Sequence, residues 1–243
     1  DMKRIFTVAM MALMTMSALT INAQNKFKGI IKYEISSVGT TPIEIPAGQN
    51  SVEVKVMGEN VIVGENALQK GRSTYTFIDL GGLIGYLNSQ DITLESYSGD
   101  GKIYIKNTLT QTEIDSLTIP CTEGFYIEYK EGESKKVAGM DCNKAVMHIF
   151  DDEGVDNPIE VWYCPEIGPE ASFIPFALGT KGMPMEYVQT ADNGRAIKYT
   201  AVEVVKGKVK DVDFLMPAGY KEIGGEQWTA FQKELEEIEE LLG

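Results

Sequence analysis

Cys121, Cys142 and Cys164 are the only cysteines and His148 the only histidine in this chain of 243 residues. They hold most of the nucleophilic and metal-ligating chemistry it could offer. Zinc asks for four close ligands, usually in CxxC or HxxxH pairs, and these side chains are scattered. A thioredoxin-type site needs a CxxC at a helix start, which is absent. A Ser-His-Asp triad would have to use His148, which sits in mid-strand between Met147 and Ile149, and no GxSxG turn is present to carry its serine. Neither a P-loop nor a GxGxxG occurs. The turn Asp151-Asp152-Glu153 with Asp156-Asn157 offers oxygen ligands for calcium but lacks EF-hand spacing and reads as a solvated turn. The sequence therefore predicts no catalytic residue, no metal site and no cofactor, and a protein that is not an enzyme.

Two of the cysteines do carry a specific expectation. In "VAGMDCNKAVMHIFDDEGVDNPIEVWYCPEIG" (137–168), Cys142 and Cys164 flank an acidic, Gly- and Pro-marked turn. Setting Cys142 opposite Cys164 in an antiparallel pair places Lys144 opposite Trp162 and Val146 opposite Glu160, with the turn around 151–157. Alternate residues then share one face, so the two sulfurs meet. A bond closing a loop of roughly 21 residues stabilises by about 3 kcal/mol in the chain-entropy view. Cys121, in "TIPCTEG", could take either partner, and three free thiols remain a further alternative.

The elements that must position these residues are mostly strands, because the dominant hydrophobic period is two. Alternation marks 30–36 and 51–65, the latter broken at Gly58-Glu59-Asn60 into a hairpin. Further strands are expected at 73–79, 92–96, 102–107, 125–129, 143–150, 159–164, 184–190, 195–205 and 208–214. Short, turn-punctuated strands predict a mainly β antiparallel sheet or barrel. Near the end the period changes. Trp228, Phe231, Leu235, Ile238 and Leu242 form an amphipathic helical stripe over 226–242, expected to cover the apolar face of the sheet.

At the other end, Met2-Lys3-Arg4, an apolar run from Ile5 to Ile21 and the small residue Ala23 have the pattern of a secretory signal. Residues 1–23 are expected to be a signal peptide and 24–243 one domain. No cysteine lies near the cleavage point to be acylated, so a periplasmic or secreted protein without stable membrane insertion is expected. The formal net charge of −14 excludes nucleic acid as a partner, since phosphate binding needs a basic face. It leaves apolar ligands and other envelope proteins open.

"AGMDCNKA" (138–145) resembles the Gly-x-x-Cys-x-Lys-Ala strand of the GLPGLI family, exported proteins of Gram-negative Bacteroidota, through Gly139, Cys142, Lys144 and Ala145. "VWYCPEI" (161–167) is similar to that family's next strand. "GMPMEY" (182–187) stands where its Gly-Leu-Pro motif would fall, with Met185-Glu186-Tyr187 replacing the second half, and "FLMPAGYKEI" (214–223) is similar to the closing stretch of a sister family of uncharacterised domains. The resemblance implies a LolA/LolB-like half-barrel: a strongly curved antiparallel sheet closed by helices, whose concave apolar face could hold a lipid, an acyl chain or an apolar segment. On that reading Phe176, Leu178, Met183 and Met185 form the rim where a ligand enters. The plainer reading makes this Gly- and Pro-marked corner a redirection of the chain between strands. Two functions follow: a binding module for an apolar ligand, or a structural or protein-interaction domain whose core is filled by its own side chains.

Overall fold

In the computed structural model the described residues are 26–151, 153–173, 178–190 and 194–242. The expected signal peptide lies outside them, as does Phe176. Eleven strands run β1 (Lys28–Ser37), β2 (Ser51–Met57), β3 (Asn60–Val63), β4 (Ala67–Lys70), β5 (Ser73–Asp79), β6 (Lys102–Thr108), β7 (Phe125–Val137), β8 (Met140–Ile149), β9 (Ile159–Cys164), β10 (Met183–Thr190) and β11 (Ala196–Lys206). A two-residue strand, β12 (Lys221–Glu222), completes them. All belong to one curved sheet in the order β12-β6-β5-β4-β3-β2-β1-β11-β10-β9-β8-β7. Two meanders, β1–β6 and β7–β11, are thus joined where β1 pairs with β11. Every pairing is antiparallel except β12 on β6.

Local chemistry sets the turns. Between β7 and β8, Ala138 (φ 47°) and Gly139 (φ 79°) both take positive φ, as a two-residue hairpin whose twist matches its strands demands. The β8–β9 register puts Lys144 opposite Trp162 and Val146 opposite Glu160, as the sequence predicted. Strand bounds at 73–79 and 159–164 also agree with expectation.

Three expectations are corrected. Residues 92–96 form no strand: Leu94 is drawn into a helix-packed cluster, and the backbone N–H groups of Glu95 and Ser96 donate to the Glu234 carboxylate instead of to a neighbouring strand. Residues 211–214 form a 3-10 turn, because the Asp213 carboxylate accepts the Lys210 N–H at 2.7 Å and pairs with Lys55 at 2.8 Å. That turn lays Val209 and Phe214 over Ile62, Leu68 and Phe77. Third, helix α3 (Gly225–Leu242) is present, but its apolar stripe does not cover the sheet. Trp228, Phe231, Leu235 and Ile238 pack on Leu87, Ile84 and Leu94, that is, on helix α1 (Gly81–Ser89) and the segment after it. A short helix α2 (Gln111–Ser116) starts with a Thr110–Glu113 capping box.

Besides the cluster under Val209 and Phe214, two further buried clusters among the described residues hold the sheet. In the first, Ile31, Tyr33, Val54, Val56 and Val61 of β1–β3 meet Val137, Cys142, Cys164, Met183 and Met185 of β7–β10. In the second, Ile127, Ala145, Met147, Val161, Tyr163 and Tyr187 are joined by Leu178 from the β9–β10 connection.

Candidate functional site: a charged cleft over a sulfur-rich core

The connection from β9 to β10 is the local feature from which the site is built. Ser172 and Thr180 pair as an isolated bridge, with Ser172 N–H donating to the Thr180 carbonyl at 2.8 Å and Gly179 N–H to the Ser172 carbonyl at 2.7 Å. The Gln69 amide of β4, fully buried, reaches across from the other meander. It donates to the Ala171 carbonyl at 2.8 Å and accepts the Phe173 N–H at 3.1 Å. On the opposite side Lys181 N–H donates to the Tyr129 hydroxyl at 3.1 Å. The connection therefore bridges the two meanders at the end of the sheet where β1 begins and β11 finishes.

The return into β10 is tight. A side chain at Gly182 (φ 132°) would collide with the Cys164 carbonyl, so only glycine fits there. A bulge between Pro184 and Glu186 then breaks the alternation. Met183, Pro184 and Met185 are all buried. The Tyr33 hydroxyl donates to the Pro184 carbonyl at 2.7 Å, sealing the spot.

Beside this connection lies a cleft of about 830 Å³, within the range of ligand sites. One wall carries Lys26, Phe27 and Lys28 at the start of β1 with Lys206 at the end of β11; the other carries Glu166, Pro169 and Glu170. Glu59 also lines it and pairs with Lys26 at 2.5 Å. Among the described ion pairs none involves Lys28, Lys206, Glu166 or Glu170. The floor is thin: Gly168 lines the cleft, and a Cβ placed on it would stand 3.2 Å from the Met183 methyl. Below that methyl lies a sulfur-rich layer. Continuing the β8–β9 register by one pair sets Cys142 opposite Cys164, and Cys164 in turn faces Met183.

The sequence-predicted site residues thus separate. Met183 and Met185 are 0% exposed in the first core, whereas Leu178 is 4% exposed in the second. Cys142 and Cys164 are adjacent, both fully buried and both free thiols. The Cys164 sulfur beside it, and then burial, push the Cys142 thiol above its ordinary pKa. Cys121 is a free thiol elsewhere, half-buried. The cleft itself was missed by sequence reasoning. Its four unpaired charges come from three separate stretches, and no local pattern links them.

His148 gathers a second polar cluster. Its Nδ1 lies 2.6 Å from Asp156 and its Nε2 3.4 Å from Glu128, and its ring stacks on Tyr126 at 4.6 Å. Both nitrogens face carboxylates, and among the described residues no hydrogen bond joins the ring to a Ser, Thr or Cys. The Glu128 carboxyl is held below the usual range by Lys130 and then by His148. Asp151 is taken up by its own turn, accepting Val155 and Glu153 N–H groups, which lowers its pKa. Among the described residues no cluster of three or more His, Cys, Asp or Glu is placed to hold a metal. No described helix is long and apolar enough to cross a membrane.

No family model matches the chain and no curated protein matches it, so the GLPGLI resemblance stands on its quoted motifs alone. Among solved structures, a LolA superfamily protein from Nitrosomonas europaea is similar at 12% identity, covering 78% of this chain and 90% of its own, with a TM-score of 0.28. LprF from Mycobacterium bovis is similar at 13% identity, covering 79% and 90%, with a TM-score of 0.26. At these scores the superpositions are loose.

Proposed function

We propose that the protein is an exported, non-enzymatic binding module that holds an apolar ligand, such as a lipid acyl chain, within its curved sheet, entering through the cleft above Met183. The observation that carries this reading is the thin floor. Gly168 lines a cleft of about 830 Å³, and a Cβ built on it would stand 3.2 Å from the Met183 methyl of the apolar layer. Methionine is unbranched and adapts to irregular contents, so Met183 and Met185 can turn aside for a chain that a β-branched lining would resist. Leu178 and Phe176, on the same connection, are proposed to contact the ligand once it is inside.

A second reading has its own observation. Met183 and Met185 at 0% and Leu178 at 4% exposure leave the core filled by the protein's own side chains. That state suits a structural or protein-interaction domain of the cell envelope.

Titration with a long-chain fatty acid carrying an environment-sensitive fluorophore separates the two. The first reading expects saturable binding that Met140→Glu weakens several-fold with an unchanged circular dichroism spectrum. Met140 is half-buried in the cleft lining, where a carboxylate can stay hydrated yet faces the entering chain. No saturable binding by the unaltered protein favours the second reading. Binding indifferent to Met140→Glu removes the cleft as the entrance.

A further inference from the structure

The cleft presents fixed charges of both signs, and this narrows the ligand. Lys28 and Lys206 belong to neighbouring strands, since Gly29 pairs with Lys206 in the β1–β11 register. Glu166 and Glu170 stand on the β9–β10 connection, which supplies the other wall. None of the four takes part in a described ion pair, although all line one cavity. Lys26, by contrast, is already matched by Glu59. A simple anion such as a fatty-acid carboxylate would gain from the lysine wall but face two carboxylates. A simple cation would meet the reverse. A group carrying both signs a short distance apart can satisfy both walls at once, and charge-assisted hydrogen bonds to each end are stronger than neutral ones.

We propose that this cleft recognises a phosphoethanolamine-type zwitterionic headgroup, its phosphate toward Lys28 and Lys206 and its amine toward Glu166 and Glu170; this rests on the reading that the interior takes the acyl chain. The apolar parts of the lining suit that division. Phe27, Met140 and Pro169 lie among the charges, and Met183 lies directly under Gly168, so a head held between the walls leaves its chain pointing at the apolar layer.

The test uses the full chain and four compounds: a phosphatidylethanolamine, a phosphatidylglycerol and a fatty acid of equal acyl length, and soluble glycerophosphoethanolamine. Affinities are read by displacement of the fluorescent fatty acid and checked by native mass spectrometry. The expected result is at least a fivefold preference for phosphatidylethanolamine over both other lipids. Lys28→Glu with Lys206→Glu is expected to abolish that preference; both lysines are exposed at strand ends, so the fold should tolerate them, and circular dichroism verifies it. Equal affinity for the three lipids, or a preference that survives the charge reversal, overturns the headgroup assignment while the apolar-carrier reading stands. Glycerophosphoethanolamine binding as tightly as the lipid overturns a lipid source in favour of the free zwitterion. Failure of every acylated compound overturns the carrier reading itself.

Discussion

Gln69 does more for the architecture than its place in the short strand β4 suggests. Its amide is fully buried and is shared among the Gly71 and Ala171 carbonyls and the Phe173 N–H. Gln69→Leu keeps the volume near constant but strands at least two backbone groups away from water, and each such group costs about 1–3 kcal/mol. A loss of about 2–4 kcal/mol in urea-unfolding stability is expected, whereas Gln69→Glu, which keeps one acceptor but adds a buried charge, should be no better. The cysteine pair makes the second residue-scale prediction. Directly opposed antiparallel residues have Cα atoms about 4.5–5.5 Å apart, inside the span a disulfide bridges. Non-reducing peptide mapping of protein from an oxidising compartment is expected to recover a Cys142–Cys164 linkage, and Cys142→Ser to lower the stability of that material by about 2–4 kcal/mol. Thiolate is the reactive form, so burial and the raised pKa of Cys142 should make alkylation of the folded, reduced protein far slower than of the unfolded chain. Two fully alkylatable thiols in native exported protein would remove the linkage.

At the scale of elements, what was legible in the sequence followed from what sets each period. Strand bounds and the Lys144–Trp162 register could be read because one buried face forces alternation and a one-residue slip would expose it. The helical stripe of α3 could be read for the same kind of reason. Its destination could not, because a stripe of Trp228, Phe231 and Leu235 suits a sheet or another helix equally well. The actual partner, Leu87 in "GGLIGYLNS", starts with two glycines and carries a weak periodic signal. Residues 92–96 failed differently: four or five alternating residues are too few to tell a strand from an irregular segment that a distant carboxylate, here Glu234, can capture. The helix pair forms its own small cluster, so Phe231→Ala, which deletes a fully buried ring at a cost of about 3–5 kcal/mol, should act locally. Hydrogen exchange is expected to accelerate in 81–97 and 225–238 while β8 and β9 keep their protection. Uniform acceleration across the sheet would show that the helix supports the whole fold.

At the scale of the molecule, the candidate site exists only through the topology. β1 and β11 pair across most of the sequence, and the β9–β10 connection returns to the other meander through Gln69. Those two facts bring Lys28 and Lys206 to one wall and Glu166 and Glu170 to the other. The corner "GTKGMPMEY" was legible as a special turn from Gly179, Gly182 and Pro184, and both glycines do take positive φ. That Met183 would lie against Gly168 at the cleft was not, since the contact joins two stretches, held by the Met183 N–H donating to the Ile167 carbonyl, that no sequence pattern links. The central claim is that this cleft leads an apolar ligand into the sheet. Native mass spectrometry of the protein purified from its own host under mild conditions tests it most directly. The account expects a bound species at the mass of a single acylated lipid, released by organic solvent and much depleted in a Met140→Glu variant. Repeated recovery of the bare chain mass alone, from material that remains folded, would contradict it.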